Sequence, residues 1–481
     1  MLLHQTGRPA AAVEEISQAI ALKPGVASMH ANRGLALGAL GRFAEAETDH
    51  ARATELDPAV AQAHYNHAGA LRALGRLEDA LACYDRALAL RPDHADTLSD
   101  RGAVLETLGR LKAAVASYDQ AIALAPGAAA AWFNRGNALK KLRRLTGAIA
   151  SYQRAITLWP DLAMAHHNLG VCLLMAGRFG AGLPEYEWRK RAPEFEDSRS
   201  LPGPALSAGD DLEGRTLFIY PELVLGDVIQ FCRYARLAVE RGASVILAAP
   251  TSLHALLRTL GPGIELAPRD AEPAGFDHHC ALLSLPLAFG TRLQTIPAEV
   301  PYLRADPARV EAWRRKLGGE GFRIGVCWQG STQPYAAPMQ RSFPLLELRA
   351  IAKIPGVRLI SLQKHDGLDQ LADLPGDMAV EVLGEDFDAG PDAFLDTAAV
   401  MSCCDLVISA DTATAHLAGA LGAPTWIALP HVPDWRWMLD RSDSPWYPTV
   451  RLFRQVSEGD WTGVFAGIGA ALGGEIARRR I

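Results

Sequence analysis

A membrane-spanning helix needs a run of about 18 apolar residues, and this chain has none. A secretory leader is also missing, since MLLHQTGRPAAAVEE lacks a charged start, an apolar stretch and a cleavage site of that type. Basic residues are in deficit, 48 Lys and Arg against 54 Asp and Glu, and no long basic run occurs. That balance argues against a nucleic-acid-binding protein, whose footprint is a positive patch. Cysteine is scarce. The seven that occur form no C-x-x-C pair, and an odd count suits a reducing compartment better than a disulfide framework or a zinc site. Cys403 and Cys404 are adjacent in an apolar stretch that reads as helix and core. The histidines, His278 and His279 among them, make no helix-spaced ligand pair beside a carboxylate, so no metal is expected. What these absences leave is a cytoplasmic protein without a membrane span or a nucleic-acid partner. Its 481 residues are enough for about three domains.

Internal repetition is what the chain has in abundance. Gly41, Gly75, Gly109 and Gly177 mark turns on a 34-residue period, with Arg143 in place of glycine at one register position and Gly7 beginning the series. Pro24, Pro58, Pro92, Pro126 and Pro160 close each unit at the same spacing. Ala12, Ala46, Ala80, Ala114 and Ala148 recur where two helices must approach, and Tyr84, Tyr118, Tyr152 and Tyr186 occupy the position four residues further on. Such a unit is a helix-turn-helix that buries its apolar face only by stacking on its neighbours. The pattern is that of tetratricopeptide repeats. It predicts five full units after a lone second helix, because the chain begins at the end of what should be a first helix, with a final helix near 180–190 as a cap.

Two positions before the small residue of each first helix stand Asn32, Asn66, Asp100, Asn134 and Asn168. That position faces the groove of such a stack. A carboxamide offers a donor and an acceptor, so this ladder can hold an extended peptide by its backbone, or simply bond its own neighbours. It resembles the asparagine ladder in the repeats of O-GlcNAc transferase, which binds acceptor proteins.

Residues 193–211 are rich in proline, glycine and acid and read as a linker after repeats over 1–192. Strands and helices then alternate: strand over 216–220, helix over 227–240, strand over 244–248. A second series opens with RIGVCW at Arg323, continues over 357–362 and reaches DLVISADTATAHLAGALGAP at 405–424. Short apolar strands separated by helices make parallel βαβ units, here in two halves, 212–305 and 306–481. In the last segment Leu406 to Ile408 read as a buried strand, Ser409 to Thr412 as a polar turn and Ala413 to Leu421 as a small-residue helix. The first amides of a helix lack intrahelical partners and sit at the positive end of its dipole. Asp411, Thr412, Ala413 and His416 therefore surround a place suited to a phosphate. The plainer alternative makes Asp411 or Thr412 the cap of a core helix.

The D-T-x-x-x-H-L-x-x-A-L-x-x-P pattern from Asp411 to Pro424 resembles that of heptosyltransferase-like enzymes, glycosyltransferase family nine, in which it contacts the diphosphate of a nucleotide sugar. The likeness extends to Asp396-Thr397 and to PDWRWMLDRSDSPWYPTVRLFRQ, as in bacterial proteins that join tetratricopeptide repeats to such a domain. The resemblance implies a GT-B fold of two facing Rossmann-like lobes, an acceptor lobe over 212–305 and a donor lobe over 306–481. It also implies inverting, metal-independent sugar transfer, with a nucleotide sugar as donor substrate and no further cofactor. Glu222-Leu223-Val224-Leu225-Gly226-Asp227 matches the family's Glu-x-Gly-x-Gly-Asp, whose aspartate is the proposed general base. Asp227 takes that role or merely caps a helix. Val224 stands where the family has glycine, and valine tolerates positive φ poorly.

Relatives carry a histidine and a lysine in the loop after the VCWQGS strand. Tyr335 and Ala336 stand there in this chain, so Arg341 and Lys364 become the candidate cations for the diphosphate. Trp435, Trp437, Trp446 and Tyr447 would stack a sugar or a base, or form core. The expectation is an α-solenoid followed by an α/β glycosyltransferase that acts on a protein recruited by the repeats. A degenerate transferase serving as a protein-binding scaffold, and a transferase acting on a cell-surface glycan precursor, are the alternatives.

Overall fold

The computed structural model describes residues 8–191, 199, 201–222, 224–273, 275–331 and 341–479. They fall into two compact units, Met1–Cys172 and Leu173–Ile481. Gly7, which begins the glycine series, lies outside the described residues.

The first unit is helical, and its elements follow the predicted period. A single helix, α1 (Pro9–Leu22), precedes α2 (Ala27–Ala39), α3 (Phe43–Leu56), α4 (Ala61–Ala73), α5 (Leu77–Leu90), α6 (Ala95–Thr107), α7 (Leu111–Leu124), α8 (Ala129–Lys141) and α9 (Leu145–Leu158). The helix α10 (Ala163–Met175) runs past the boundary, and the short α11 (Phe179–Tyr186) completes the eleven helices of the series among the described residues. The helix expected near 180–190 is α11, followed by the 3-10 turn Glu187–Arg191.

Each first helix ends in the same turn. Gly41, Gly75, Gly109 and Gly177 take φ values of 73, 74, 73 and 73°. The next amide reaches back across the turn, Arg42 to the Leu37 carbonyl at 3.0 Å and Arg110 to that of Leu105 at 2.8 Å, which satisfies a carbonyl the helix leaves open. Arg143 makes the same turn at φ 58°, and the Arg144 amide meets the Leu139 carbonyl at 2.9 Å. A side chain there meets the steric penalty that glycine avoids, about 1–2 kcal/mol.

Packing explains the other repeated positions. A Cβ on Gly34 would stand 2.6 Å from the His50 ring, on Gly102 2.6 Å from that of Tyr118, and on Gly136 2.6 Å from that of Tyr152. Beside each of these glycines an arginine joins two second helices. Arg33 bonds Asp49 at 2.6 and 2.7 Å and Ser17 at 3.1 Å. Arg101 bonds Asp85 and Ser117, both at 2.6 Å, and Arg135 bonds Asp119 at 2.6 Å and Ser151 at 2.8 Å.

The second unit contains two parallel sheets. The first, β1 (Thr216–Tyr220), β2 (Ser244–Ala249), β3 (Ile264–Pro268) and β4 (His278–Ala281), has the order β3-β2-β1-β4. The second has the order β10-β9-β8-β5-β6-β7, with β5 (Phe322–Cys327), β6 (Val357–Ser361), β7 (Val380–Glu381), β8 (Leu406–Ala410), β9 (Thr425–Leu429) and β10 (Val450–Arg454). Chain order reverses between β5 and β8, so a crevice opens beyond their carboxyl ends. The helices that matter for the site are α12 (Leu225–Phe231), α13 (Arg233–Glu240), α14 (Pro307–Leu317), α15 (Leu395–Met401), α16 (Ala413–Ala420) and α17 (Trp461–Arg479). Ile324, Val326, Leu359, Ile408 and Ala428 form a core with Trp461, Phe465, Ile468 and Leu472 of α17.

Some local expectations change. The helix read over 227–240 is two helices, α12 and α13, meeting at Cys232. Cys403 and Cys404 follow α15 instead of lying within it, Cys403 buried and Cys404 half-buried. His278 and His279 belong to β4, paired with β1. Ala205, in the proline-rich stretch, bridges His279 in parallel, and the Leu206 amide donates to the His279 carbonyl at 2.8 Å. Among the described residues no group of three or more His, Cys, Asp or Glu is placed to hold a metal, and no helix is long and apolar enough to cross a membrane.

Arg143→Gly is expected to stabilise the repeat unit by about 1 kcal/mol, because glycine takes the left-handed turn without the Cβ clash. Urea denaturation followed by circular dichroism would read this as a higher midpoint. A midpoint that is unchanged or lower would contradict the strain assigned to this turn.

Candidate functional site

All five residues of β8 are buried, and at its carboxyl end the chain passes through Asp411 and Thr412 into α16. Thr412 holds the N-cap position in extended backbone, φ -138° and ψ 172°, yet its side chain makes no capping bond. Its hydroxyl lies 3.3 Å from Ser409 Oγ and 3.7 Å from Cys327 Sγ. Asp411 is 3% exposed and does not cap α16 either, and its Oδ2 has no hydrogen-bond partner among the described residues. Burial, then the neighbouring Asp434, push the Asp411 carboxyl up to about 6 against the pull of Arg341.

His416 is fully enclosed. Its Nδ1 lies 3.0 Å from the Tyr447 hydroxyl and its Nε2 4.0 Å from Asp411 Oδ1, and its ring stacks on Trp437 at 5.3 Å and 16°. Burial, with Arg436, Arg233 and Arg341 nearby, holds its pKa well below the usual range, so it is a neutral imidazole. Tyr447 reaches it because residue 419 is glycine, where a Cβ would stand 2.5 Å from the tyrosine ring.

Gly226 brings the first sheet's helix to this place. A Cβ there would lie 3.1 Å from His416 Cδ2 and 3.6 Å from Ala413 Cα, so α12 packs directly on α16. Val224 lies in extended backbone at φ -117° and ψ 161°. Valine adopts that conformation readily, so the strain expected from a positive φ there is absent. Glu222 of the same motif is an anchor, accepting from Arg189 at 3.0 and 2.9 Å and from the Leu283 amide at 3.1 Å. Leu223 lies outside the described residues.

Asp227 follows Gly226 and is 7% exposed. Its Oδ1 accepts from Arg436 Nη2 at 2.6 Å, while Arg436 Nη1 donates to Asp434 Oδ1 at 2.9 Å. Burial raises the Asp227 pKa and the Arg436 charge pulls it back. Burial likewise opposes the charge on Arg436, but Asp434 and Asp227 hold it firmly protonated. Gln230, one turn along α12, is 0% exposed, and neither its Nε2 nor its Oε1 has a partner among the described residues.

The candidate residues therefore divide. Asp227, Asp411, Thr412, Ala413 and His416 are brought together, and half-buried Arg341 acts on Asp411 and His416 through its charge. Lys364 is engaged elsewhere, donating to the Phe387 carbonyl and standing 5.9 Å from the Phe387 ring. Tyr335 and Ala336 lie outside the described residues. Trp435, Trp437, Trp446 and Tyr447 are all buried, and Trp435 and Trp446 pack on Phe179 and Phe231 as core. Asp396 and Thr397 hold α15 in place through Asp388, Arg309 and Trp313.

In the repeats, Asn66 accepts from Gln62 at 2.9 Å and Asp100 from the Tyr65 hydroxyl at 2.8 Å. Asn168 is buried, accepts from Lys140 Nζ at 3.0 Å and donates to Asn137 at 3.1 Å. Asn32 and Asn134 are half-buried.

The sequence reading missed Arg436, Asp434 and Gln230. A usable signal existed, since PDWRW places an acid and a base two apart within an aromatic run, where an unpaired charge would be costly to bury.

Comparison with known proteins gives the repeats their name. Tetratricopeptide-repeat models match residues 2–61, 59–126, 99–163 and 133–193, and the amino-terminal solenoid is built of these repeats. Protein FlbA of Caulobacter vibrioides is 29% identical over 328 residues, 62% of this chain and 53% of its own length. The chain thus spans about half the length of that relative. Among solved structures, YrrB, a tetratricopeptide-repeat protein with an unusual peptide-binding site, is 21% identical with a TM-score of 0.35, covering 38% of this chain and 95% of its own. MamA from Desulfovibrio magneticus RS-1 is 24% identical with a TM-score of 0.34, covering 36% of this chain and 97% of its own.

Because burial raises the Asp411 pKa from 3.8 to about 6, the folded state holds a proton across that window that the unfolded state has lost. Stability contributed by this residue is therefore full below about pH 4, falls as the pH rises to about 6 and stays reduced above it. Asp411→Asn should raise the melting temperature at pH 8, an effect on the order of 1–3 kcal/mol, and lose that advantage at pH 4. Thermal melts at the two pH values check this, and a variant less stable than the parent at pH 8 would contradict it.

Proposed function

We propose that the second unit is a GT-B glycosyltransferase and that the repeats recruit its protein acceptor. The observation that carries this reading is the packing of α12 on α16 through Gly226. It sets the motif carboxylate Asp227, from the first sheet, beside the Asp411 to His416 turn of the second. Strand order supports it too, because β7-β6-β5-β8-β9-β10 is the doubly wound order of a dinucleotide-binding sheet, and β8 and β5 flank its switch point. The two sheets are then the two Rossmann-like lobes. The amino end of α16, which Thr412 leaves uncapped, would receive the donor diphosphate with Arg341. Neutral His416, oriented by Tyr447 and Trp437, would donate a hydrogen bond there, and Asp411 would accept one from a sugar hydroxyl.

In the reaction an acceptor oxygen bonds to the sugar's anomeric carbon as the bond from that carbon to the phosphate oxygen breaks. The nucleoside diphosphate leaves with the electron pair, and Asp227 takes the acceptor's proton. Inversion follows from attack on the face opposite the leaving group. Protein recruitment is supported by the repeat architecture, whose stacked helices present an extended binding surface. Asn32 and Asn134 are the ladder positions proposed to hold an extended acceptor backbone.

Calorimetry with UDP, GDP, ADP and CMP sugars is expected to find one donor class that binds. Asp227→Asn should lower transfer by about 10²–10⁴ while the donor still binds. A degenerate scaffold is the second reading, favoured by the ion pair that occupies Asp227. Silence across the whole donor panel would establish that reading over the enzyme.

Asn32→Ala combined with Asn134→Ala should raise the KM for a protein acceptor several-fold and leave donor hydrolysis unchanged. Equal KM values would remove the ladder from acceptor binding.

A further inference from the structure

Arg436 uses its guanidinium unevenly. On one side Nη1 donates to Asp434 Oδ1 at 2.9 Å, as does the backbone amide of Arg436. On the other side Nη2 meets Asp227 Oδ1 at 2.6 Å, and Nε has no partner among the described residues. The Nε and Nη2 hydrogens point the same way and match two oxygens of one anionic group. Asp227 engages only one of them. This half-used edge is enclosed, with Arg436 7% exposed and its guanidinium 5.2 Å from the Phe231 ring and 5.0 Å from that of Trp435. In such surroundings a charge-assisted bond to an anion is strong, and an unmet N–H is unfavourable.

Lys364, which follows a strand end, is held by the Phe387 carbonyl. Arg436 lies within electrostatic reach of both Asp411 and His416, and its ion pair with Asp227 ties the turn after β9 to α12.

We propose that the Nε and Nη2 edge of Arg436 is an oxyanion site for a phosphate of a nucleoside diphosphate, with Asp227 as its built-in competitor. The inference rests on the glycosyltransferase reading, from which it takes the identity of the anion. A phosphate with two oxygens on this edge satisfies Nε as well as Nη2, and so displaces the singly bonded carboxylate. No covalent bond changes in that exchange. Its result is a free Asp227 carboxylate at the moment the leaving group is neutralised. The base is thereby armed only when a donor is present, and the PDWRW turn supplies a buried cation beside it.

Isothermal titration of the full chain with inorganic pyrophosphate, and with UDP, GDP and ADP, tests this. Asp227→Asn keeps the shape of the side chain and removes the competing charge, so it should bind pyrophosphate about tenfold more tightly than the parent. Asp227→Ala should do the same, so the outcome does not depend on one variant folding. Arg436→Lys keeps the charge but not the fork and should bind more weakly than the parent. Binding that is no tighter in either Asp227 variant, or full affinity in Arg436→Lys, overturns the proposal while a nucleotide-binding parent leaves the glycosyltransferase reading standing. If neither the parent nor the Asp227 variants bind pyrophosphate or any nucleoside diphosphate, both are overturned.

Discussion

The close approach of α12 to α16 at Gly226 is the contact around which the candidate site is arranged. A Cβ at residue 226 would stand 3.1 Å from His416 Cδ2 and crowd that ring by a few tenths of an ångström, so glycine lets α12 lie closest to α16 there. Beside that contact Asp227 meets Arg436, and both are withdrawn from water along with Asp411 and His416. Burial on this scale is tolerable only if charges are paired, which is why Arg436 sits between Asp227 and Asp434. Much of the local electrostatics follows. Asp411 becomes a weak acid, His416 stays neutral, and Arg436 stays charged.

The repeats and the turn before α16 were legible in the sequence because each writes a local rule many times or very compactly. A 34-residue period needs no knowledge of tertiary contacts, and the strand, turn and helix of 405–424 are encoded by neighbouring residues. Strands such as β4 and β3 were harder. His278 and His279 do not look like strand residues, and only their pairing with β1 makes them so. The break at Cys232 also depends on context, since Arg233 is drawn to the Pro297 and Trp446 carbonyls and to Tyr302, contacts remote in sequence.

The site was half legible for the same reason. Asp227 and Asp411 stood out by motif, but the residue that joins their surroundings, Arg436, lies 209 positions from Asp227. Lys364 looked suitable because it follows a strand end, and nothing local shows that Phe387 holds it. Val224 looked costly only if its backbone had a positive φ, and the extended φ removes that concern. Long-range pairing, which propensity does not encode, accounts for these differences.

The left-handed turn at Arg143 has a wider meaning for the solenoid. In a stack whose stability is a chain of neighbour terms, a local penalty cannot be averaged over the whole. It stays at the joint between α8 and α9. The penalty is therefore borne by that one repeat's own stability and is not shared by its neighbours.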